Sequence, residues 1–172
     1  FSRSAGATAD KLLFIDRTVI GQAYDVWDQG VMLGGTSGDF WWGVSAQNGL
    51  DDASEDLFLS GRVEYSWNGG CGTCEGCCEA KSGWAGLFGL YFATEQDDSG
   101  VDAQVTWEQK FSFGGELMDS DQELGVFFPP LLSYTDDFTP WNVYASWMLR
   151  PGEWEAALRY QDLDDPDSTA FL

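Results

Sequence analysis

The side chains best suited to chemistry are four closely spaced cysteines, Cys71, Cys74, Cys77 and Cys78. Their C-x2-C spacing allows two thiolates to share a tetrahedral zinc ion. The same cysteines could instead form two disulfides that close a glycine-rich turn. Composition alone leaves both interpretations open, and the compartment in which the chain folds decides between them.

Carboxylates are the second group of reactive side chains. The pairs Asp51-Asp52, Asp97-Asp98, Asp136-Asp137 and Asp164-Asp165 could supply oxygen ligands to Ca²⁺ or Mg²⁺, but none follows an EF-hand pattern. We interpret them as solvated acidic loops and predict no metal site and no cofactor. Glu153 and Glu155 resemble a glycosidase pair in residue type only. The chain has no His and no nucleophile motif, so we predict that it is not an enzyme.

The charge excludes one class of partner. The chain carries 29 acidic and 8 basic residues, a formal net charge of -21. Such a surface repels phosphate backbones, so nucleic acid is not expected to bind.

The elements that must position these residues are strands, because apolar and polar residues alternate with period 2. Between residues 141 and 160 the alternation runs on both sides of the turn Arg150-Pro151-Gly152-Glu153, which predicts a β-hairpin. Similar rows occupy residues 40–46, 57–67, 84–92, 101–107 and 111–117, with weaker candidates at 11–20 and 30–35. We predict an all-β, antiparallel, up-and-down chain of about nine strands without a helix.

The connections and the aromatic residues favour a transmembrane β-barrel. Tight turns at 36–39, 109–110 and 150–153 alternate with long, mostly acidic or aromatic connections at 21–29, 48–56 and 119–140. The apolar rows end in aromatic residues, as interfacial girdles do: Trp67, Trp84, Trp141, Trp154 and Tyr160. A soluble β-sandwich alternates in the same way and stays the alternative, with Trp27, Trp41 and Trp42 stacking on a carbohydrate.

Four pieces of the sequence, made of six segments, resemble the phosphate-selective porins of the porin O and P type. They are Phe14-Ile15-Asp16-Arg17-Thr18, residues 28–35 with 42–49, residues 59–63, and the pair 141–147 and 152–160. Together they extend from about residue 12 to residue 165. The resemblance implies a passive channel in the outer membrane of Gram-negative bacteria. It also implies a homotrimer of sixteen-stranded barrels that passes phosphate or other anions along basic pore-lining residues.

The residues of this chain depart from that family's basic lining. The charged residues predicted to line the pore are Arg62, Glu64, Asp102, Glu108, Lys110, Glu116, Arg150, Glu155 and Arg159. Acids outnumber bases among them, so we expect weak cation preference, or none, in place of phosphate selectivity.

These observations predict one β-barrel region over residues 1–172, with a Cys-rich turn insertion at 68–83. Since nine strands cannot close a sixteen-stranded barrel, we expect the chain to be part of a larger one. Its expected partners are outer-membrane lipid and small solutes or ions. An outer-membrane protein folds through an oxidising compartment, so we predict disulfides at Cys71, Cys74, Cys77 and Cys78. A non-conducting structural barrel is a further alternative.

Overall fold

The computed structural model describes seven stretches of the chain and three single residues before them. The stretches are residues 30–48, 57–69, 83–94, 97–108, 110–121, 139–150 and 154–162, and the single residues are Phe14, Thr18 and Ile20. Within them lie eight strands: β1 (Gly30–Ser37), β2 (Phe40–Gln47), β3 (Phe58–Trp67), β4 (Trp84–Ala93), β5 (Asp98–Trp107), β6 (Phe111–Asp119), β7 (Trp141–Arg150) and β8 (Trp154–Asp162).

All eight strands belong to a single antiparallel sheet in the order β1-β2-β3-β4-β5-β6-β7-β8. Each strand therefore pairs with its neighbour in sequence, and β1 and β8 are the edges. The prediction of an all-β, up-and-down antiparallel fold is confirmed. The weak candidate at 11–20 lies largely outside the described residues, and none of Phe14, Thr18 and Ile20 is in a strand.

A membrane-spanning helix is absent from the described part of the chain. No helix there is both long enough and apolar enough to cross a bilayer.

The connections differ between the two ends of the sheet. At one end, here called the turn end, β1 and β2 are joined by Gly38 and Asp39, and β5 and β6 by residues 108–110. Gly38 has a φ of 61°, the left-handed conformation that hairpin turns require and that glycine adopts without strain. At the other end, the loop end, β2 and β3 are joined by residues 48–57 and β6 and β7 by residues 120–140. The short connection at 94–97 is an exception there.

One face of the sheet, here called the apolar face, exposes large hydrophobic side chains. Strand pairing aligns one large hydrophobic residue from each of β2 to β7 in a single line: Trp42, Val63, Leu90, Val101, Leu117 and Trp141. Val63, Leu90 and Leu117 are 46–52% exposed, and Leu158 of β8 is 75% exposed. A water-soluble sheet buries its apolar face, so this arrangement is unusual.

The opposite face, here called the polar face, is the buried one. Its polar side chains on β3, β5, β6 and β7 are 1–7% exposed: Ser60, Arg62, Asp102, Gln104, Thr106, Ser112, Glu116, Asn142 and Ser146. The sheet is therefore inverted relative to a soluble half-buried sheet, with its apolar side chains outward and its polar side chains inward.

Candidate functional site on the polar face

The polar face contains a continuous line of residues that strand pairing places side by side. Glu64 of β3 pairs with Gly89 of β4, which pairs with Asp102 of β5. The line then continues through Glu116 of β6, Asn142 of β7 and Gln161 of β8. We call these six residues the polar row. Because side chains alternate between faces with period 2, residues that pair directly share a face.

Arg62 lies beside the polar row and is held by two of its carboxylates. Its guanidinium donates to both oxygens of Asp102, with Nη2 2.8 Å from Oδ1. Nη2 and Nε also donate to Oε2 of Glu64, at 3.1 Å and 3.3 Å. A bidentate Arg–carboxylate pair is among the stronger protein interactions, and burial strengthens its electrostatic part.

Gly89 leaves the space that this pairing needs. Arg62 is on β3 and Asp102 is on β5, so the guanidinium must cross β4 to reach its partner. A Cβ at Gly89 would overlap the Arg62 guanidinium and lie 2.8 Å from Asp102 Oδ2. Glycine at this position therefore permits an ion pair between strands that are not neighbours.

The other half of the polar row combines a carboxylate with an amide. Glu116 pairs directly with both Asp102 and Asn142, and all three side chains are at most 5% exposed. Nδ2 of Asn142 has no hydrogen-bond partner within the described part of the chain. A buried amide donor without a protein partner is uncommon and is expected to interact with water or a solute.

Residues from before β1 also lie against the polar face. Phe14 lies under the Arg159 guanidinium, 4.6 Å from its Cζ, and makes an edge contact with Tyr144 at 6.5 Å between centroids. Ile20 is fully buried with Tyr91 and Met118. These contacts bury part of the polar face.

Six of the predicted pore-lining residues occupy the polar face: Arg62, Glu64, Asp102, Glu116, Glu155 and Arg159. Arg150 lies at the end of β7, where the pairing with β8 shifts between Met148 and Arg150. Glu108 and Lys110 lie in the β5–β6 turn, where they form an exposed ion pair at 3.1 Å. Glu108 and Lys110 therefore lie beyond the ends of their strands, away from the charged residues on the polar face.

One acidic residue was assigned to the wrong environment from sequence. Asp97 lies in the turn between β4 and β5, but Asp98 is the first residue of β5 and only 8% exposed. The Ser120 hydroxyl donates to the Asp98 carboxylate at 2.5 Å. Asp98 continues the alternation of β5 back to its first residue, and that pattern could have identified it. The other three aspartate pairs lie outside the described residues.

The turn end of the apolar face carries an aromatic belt, which consists of Phe40, Tyr65, Trp67, Trp84, Trp107, Phe111 and Trp147. The rings contact one another in two series, Phe40–Tyr65–Trp67 and Trp84–Trp107–Phe111–Trp147, at centroid distances of 4.9–6.4 Å. At the loop end, Trp141 contacts Tyr160 at 5.4 Å. Trp67, Trp84, Trp141 and Tyr160 thus lie near strand ends on the apolar face.

The cysteine segment, residues 71–78, lies outside the described stretches, in the connection between β3 and β4. Among the residues that the structure does describe, no group of three or more His, Cys, Asp or Glu side chains could hold a metal ion.

Comparison with known proteins gives no relative. No family model, no curated protein and no solved structure matches the chain.

Proposed function

We propose that this chain forms part of the wall of an outer-membrane β-barrel that acts as a passive pore for small hydrophilic solutes or ions. The observation that carries the proposal is the inverted sheet, which exposes its apolar face and buries its polar face. In a transmembrane barrel the apolar face contacts lipid and the polar face surrounds the lumen.

The hydrophobic effect supports the membrane location. Soluble monomers rarely expose a contiguous apolar patch larger than a few hundred Å², whereas large apolar side chains here are exposed on seven of the eight strands, all except β5. Each Å² of apolar surface removed from water stabilises by about 25 cal/mol. Contact with lipid acyl chains would supply that stabilisation across the entire face.

The lengths of the strands also support a membrane location. Strands β3, β4, β5 and β7 contain 10 residues each. At about 3.3 Å per residue and a tilt of about 40°, such strands span an apolar band about 25 Å thick. The aromatic belt would then lie at one membrane interface and the Trp141–Tyr160 contact at the other.

Strands β1 and β8 are the edges of the described sheet, and in a membrane each would need a further strand to pair with. Backbone groups that are unpaired in hydrocarbon cost several kcal/mol each, so a membrane sheet must close into a barrel. The resemblance to the phosphate-selective porins supports a larger, sixteen-stranded barrel and a homotrimer in the outer membrane of a Gram-negative bacterium. A carbohydrate-binding sandwich is less well supported, because Trp41 and Trp42 project to opposite faces and cannot stack on one sugar together.

A planar-bilayer measurement on the purified complete protein tests this function. We expect stepwise conductance that persists at low voltage, and release of small sugars from proteoliposomes. A protein that stays monodisperse in water without detergent, and that does not insert into bilayers, would contradict the proposal.

One observation favours a second function, a structural barrel that does not conduct. The polar side chains on β3, β5, β6 and β7 are almost fully buried, which a filled lumen would also produce. The same measurement separates the two functions: stable membrane insertion without conductance would support the structural barrel.

A further inference from the structure

Two tyrosines place apolar surface on the polar face. Tyr91 of β4 lies across Gly100 of β5, because a Cβ on that glycine would overlap the tyrosine ring. Tyr144 of β7 lies across Gly114 of β6 in the same way. Both tyrosines are at most 8% exposed. We call each ring, together with the glycine that it covers, a tyrosine platform.

The two platforms lie on opposite sides of the polar row. Tyr91 pairs with Gly100, which pairs with Met118, and this line is two residues from the row toward the loop end. Tyr144 pairs with Arg159 two residues from the row toward the turn end. Residues two apart on a strand share a face. Both platforms therefore flank the polar row on the face that would surround the lumen.

Phe14 and Ile20, from the chain before β1, each contact one platform. Ile20 is fully buried in a cluster with Tyr91. The Phe14 ring makes an edge contact with Tyr144, with 6.5 Å between centroids and 74° between planes, and lies 4.6 Å from Cζ of Arg159. The two apolar side chains thus lie on both sides of the polar row, in space that an open lumen would leave to water.

The hydrophobic effect favours these two contacts. An apolar side chain inside a polar lumen is stabilised when its surface is removed from water, and Ile20 has no exposed surface left. Thr18 is 1% exposed, so burial before β1 is not confined to one residue. Hydrophobic constrictions hinder the passage of hydrated solutes through a pore.

We propose that Phe14 and Ile20 narrow the pore and determine the largest solute that passes through it. This inference rests on the proposed pore function. The two side chains occupy part of the lumen beside the polar row, so truncating them leaves more water-filled space there. None of the described strand pairings involves either residue, so the wall of the barrel does not depend on them.

Single-channel recording on the complete protein in planar bilayers tests the inference. We expect the double substitution Phe14→Ala and Ile20→Ala to raise the single-channel conductance. Liposomes that contain this variant should also release oligosaccharides that liposomes with the wild type retain. Val31→Ala with Leu33→Ala is the matched control, because it also truncates two apolar side chains, but on the exposed apolar face of β1. Its conductance and size limit should equal those of the wild type.

The outcomes separate this inference from the pore proposal. An unchanged conductance and size limit in the Phe14 and Ile20 variant, or an equal rise in the control, would overturn the narrowing and leave the pore standing. The absence of conductance from wild type and both variants would overturn both proposals. If the Phe14 and Ile20 variant does not fold, hydroxyl-radical labelling of the wild type in liposomes decides the question. Protection of both residues relative to the urea-unfolded protein supports the inference, and labelling as strong as in the unfolded protein overturns it.

Discussion

Arg62 and its partners illustrate how single residues determine which contacts form on the buried polar face of this sheet. A buried arginine requires charged partners, because the cost of removing its charge from water is otherwise several kcal/mol. Asp102 and Glu64 meet this requirement from two different strands, at donor–acceptor distances up to 3.3 Å. The contact depends on the small residue between them, Gly89.

We therefore expect Gly89→Ala to destabilise the folded protein by about 1–3 kcal/mol, since its methyl group overlaps the Arg62 guanidinium and forces the ion pair apart. Reversible urea unfolding in liposomes would measure the loss. Gly34→Ala on the same face of β1 is the control, because its Cβ would make a tight contact with the Trp42 carbonyl oxygen at 3.0 Å but none of its three nearest atoms belongs to a charged side chain. Equal losses for the two variants would show that the space at Gly89 is not needed for the ion pair.

At the scale of elements, we expect an introduced charge to destabilise the protein more on the apolar face of a strand than on its polar face. Leu158 on the apolar face of β8 is 75% exposed, and its neighbour Ala157 is exposed on the polar face. Sequence alternation alone would suggest Ser146 as a tolerant polar-face position, but Ser146 is only 6% exposed, so an arginine there would have to displace its neighbours. Ala157 is the suitable position because β8 is an edge of the described sheet.

We expect Leu158→Arg to reduce the free energy of folding into membranes by about 2–4 kcal/mol, the cost of a lipid-facing arginine near the middle of the bilayer. Ala157→Arg should cost much less, since the polar face can hydrate the charge. Folding into liposomes, followed by the mobility of unheated samples in gel electrophoresis, would compare them. Similar losses would argue against a lipid-facing apolar face.

At the scale of the whole molecule, the compartment in which the chain folds determines the state of its cysteines. A protein exported to the outer membrane passes through an oxidising periplasm, where disulfides form and persist. All four cysteines lie between residues 71 and 78, and the chain has no histidine, so cysteine thiolates are the ligands that a zinc site there would use.

If the protein has the proposed outer-membrane location, we expect it to contain no free thiol, which thiol titration under denaturing conditions would measure before and after reduction. Metal analysis of the same sample provides the control. Four reactive thiols together with one equivalent of zinc would contradict the prediction and favour the metal-binding alternative.

The sequence alone determined the strands and their two faces. Period-2 alternation identifies residues such as Val143 and Leu158 as members of one face, and the short polar segment around Gly38 identifies a turn, because these signals are local. Six of the nine predicted lining residues follow from the same parity. Glu108 and Lys110 could not be assigned, because parity does not say at which residue a strand ends.

Only the tertiary structure decided which residues from different strands meet. The polar row depends on the pairing of six strands, and a shift of one residue in any pair would move side chains to the other face. The Arg62–Asp102 ion pair joins residues 40 positions apart and crosses a glycine on the strand between them. Such contacts depend on the pairing of the intervening strands, which sequence alternation does not encode.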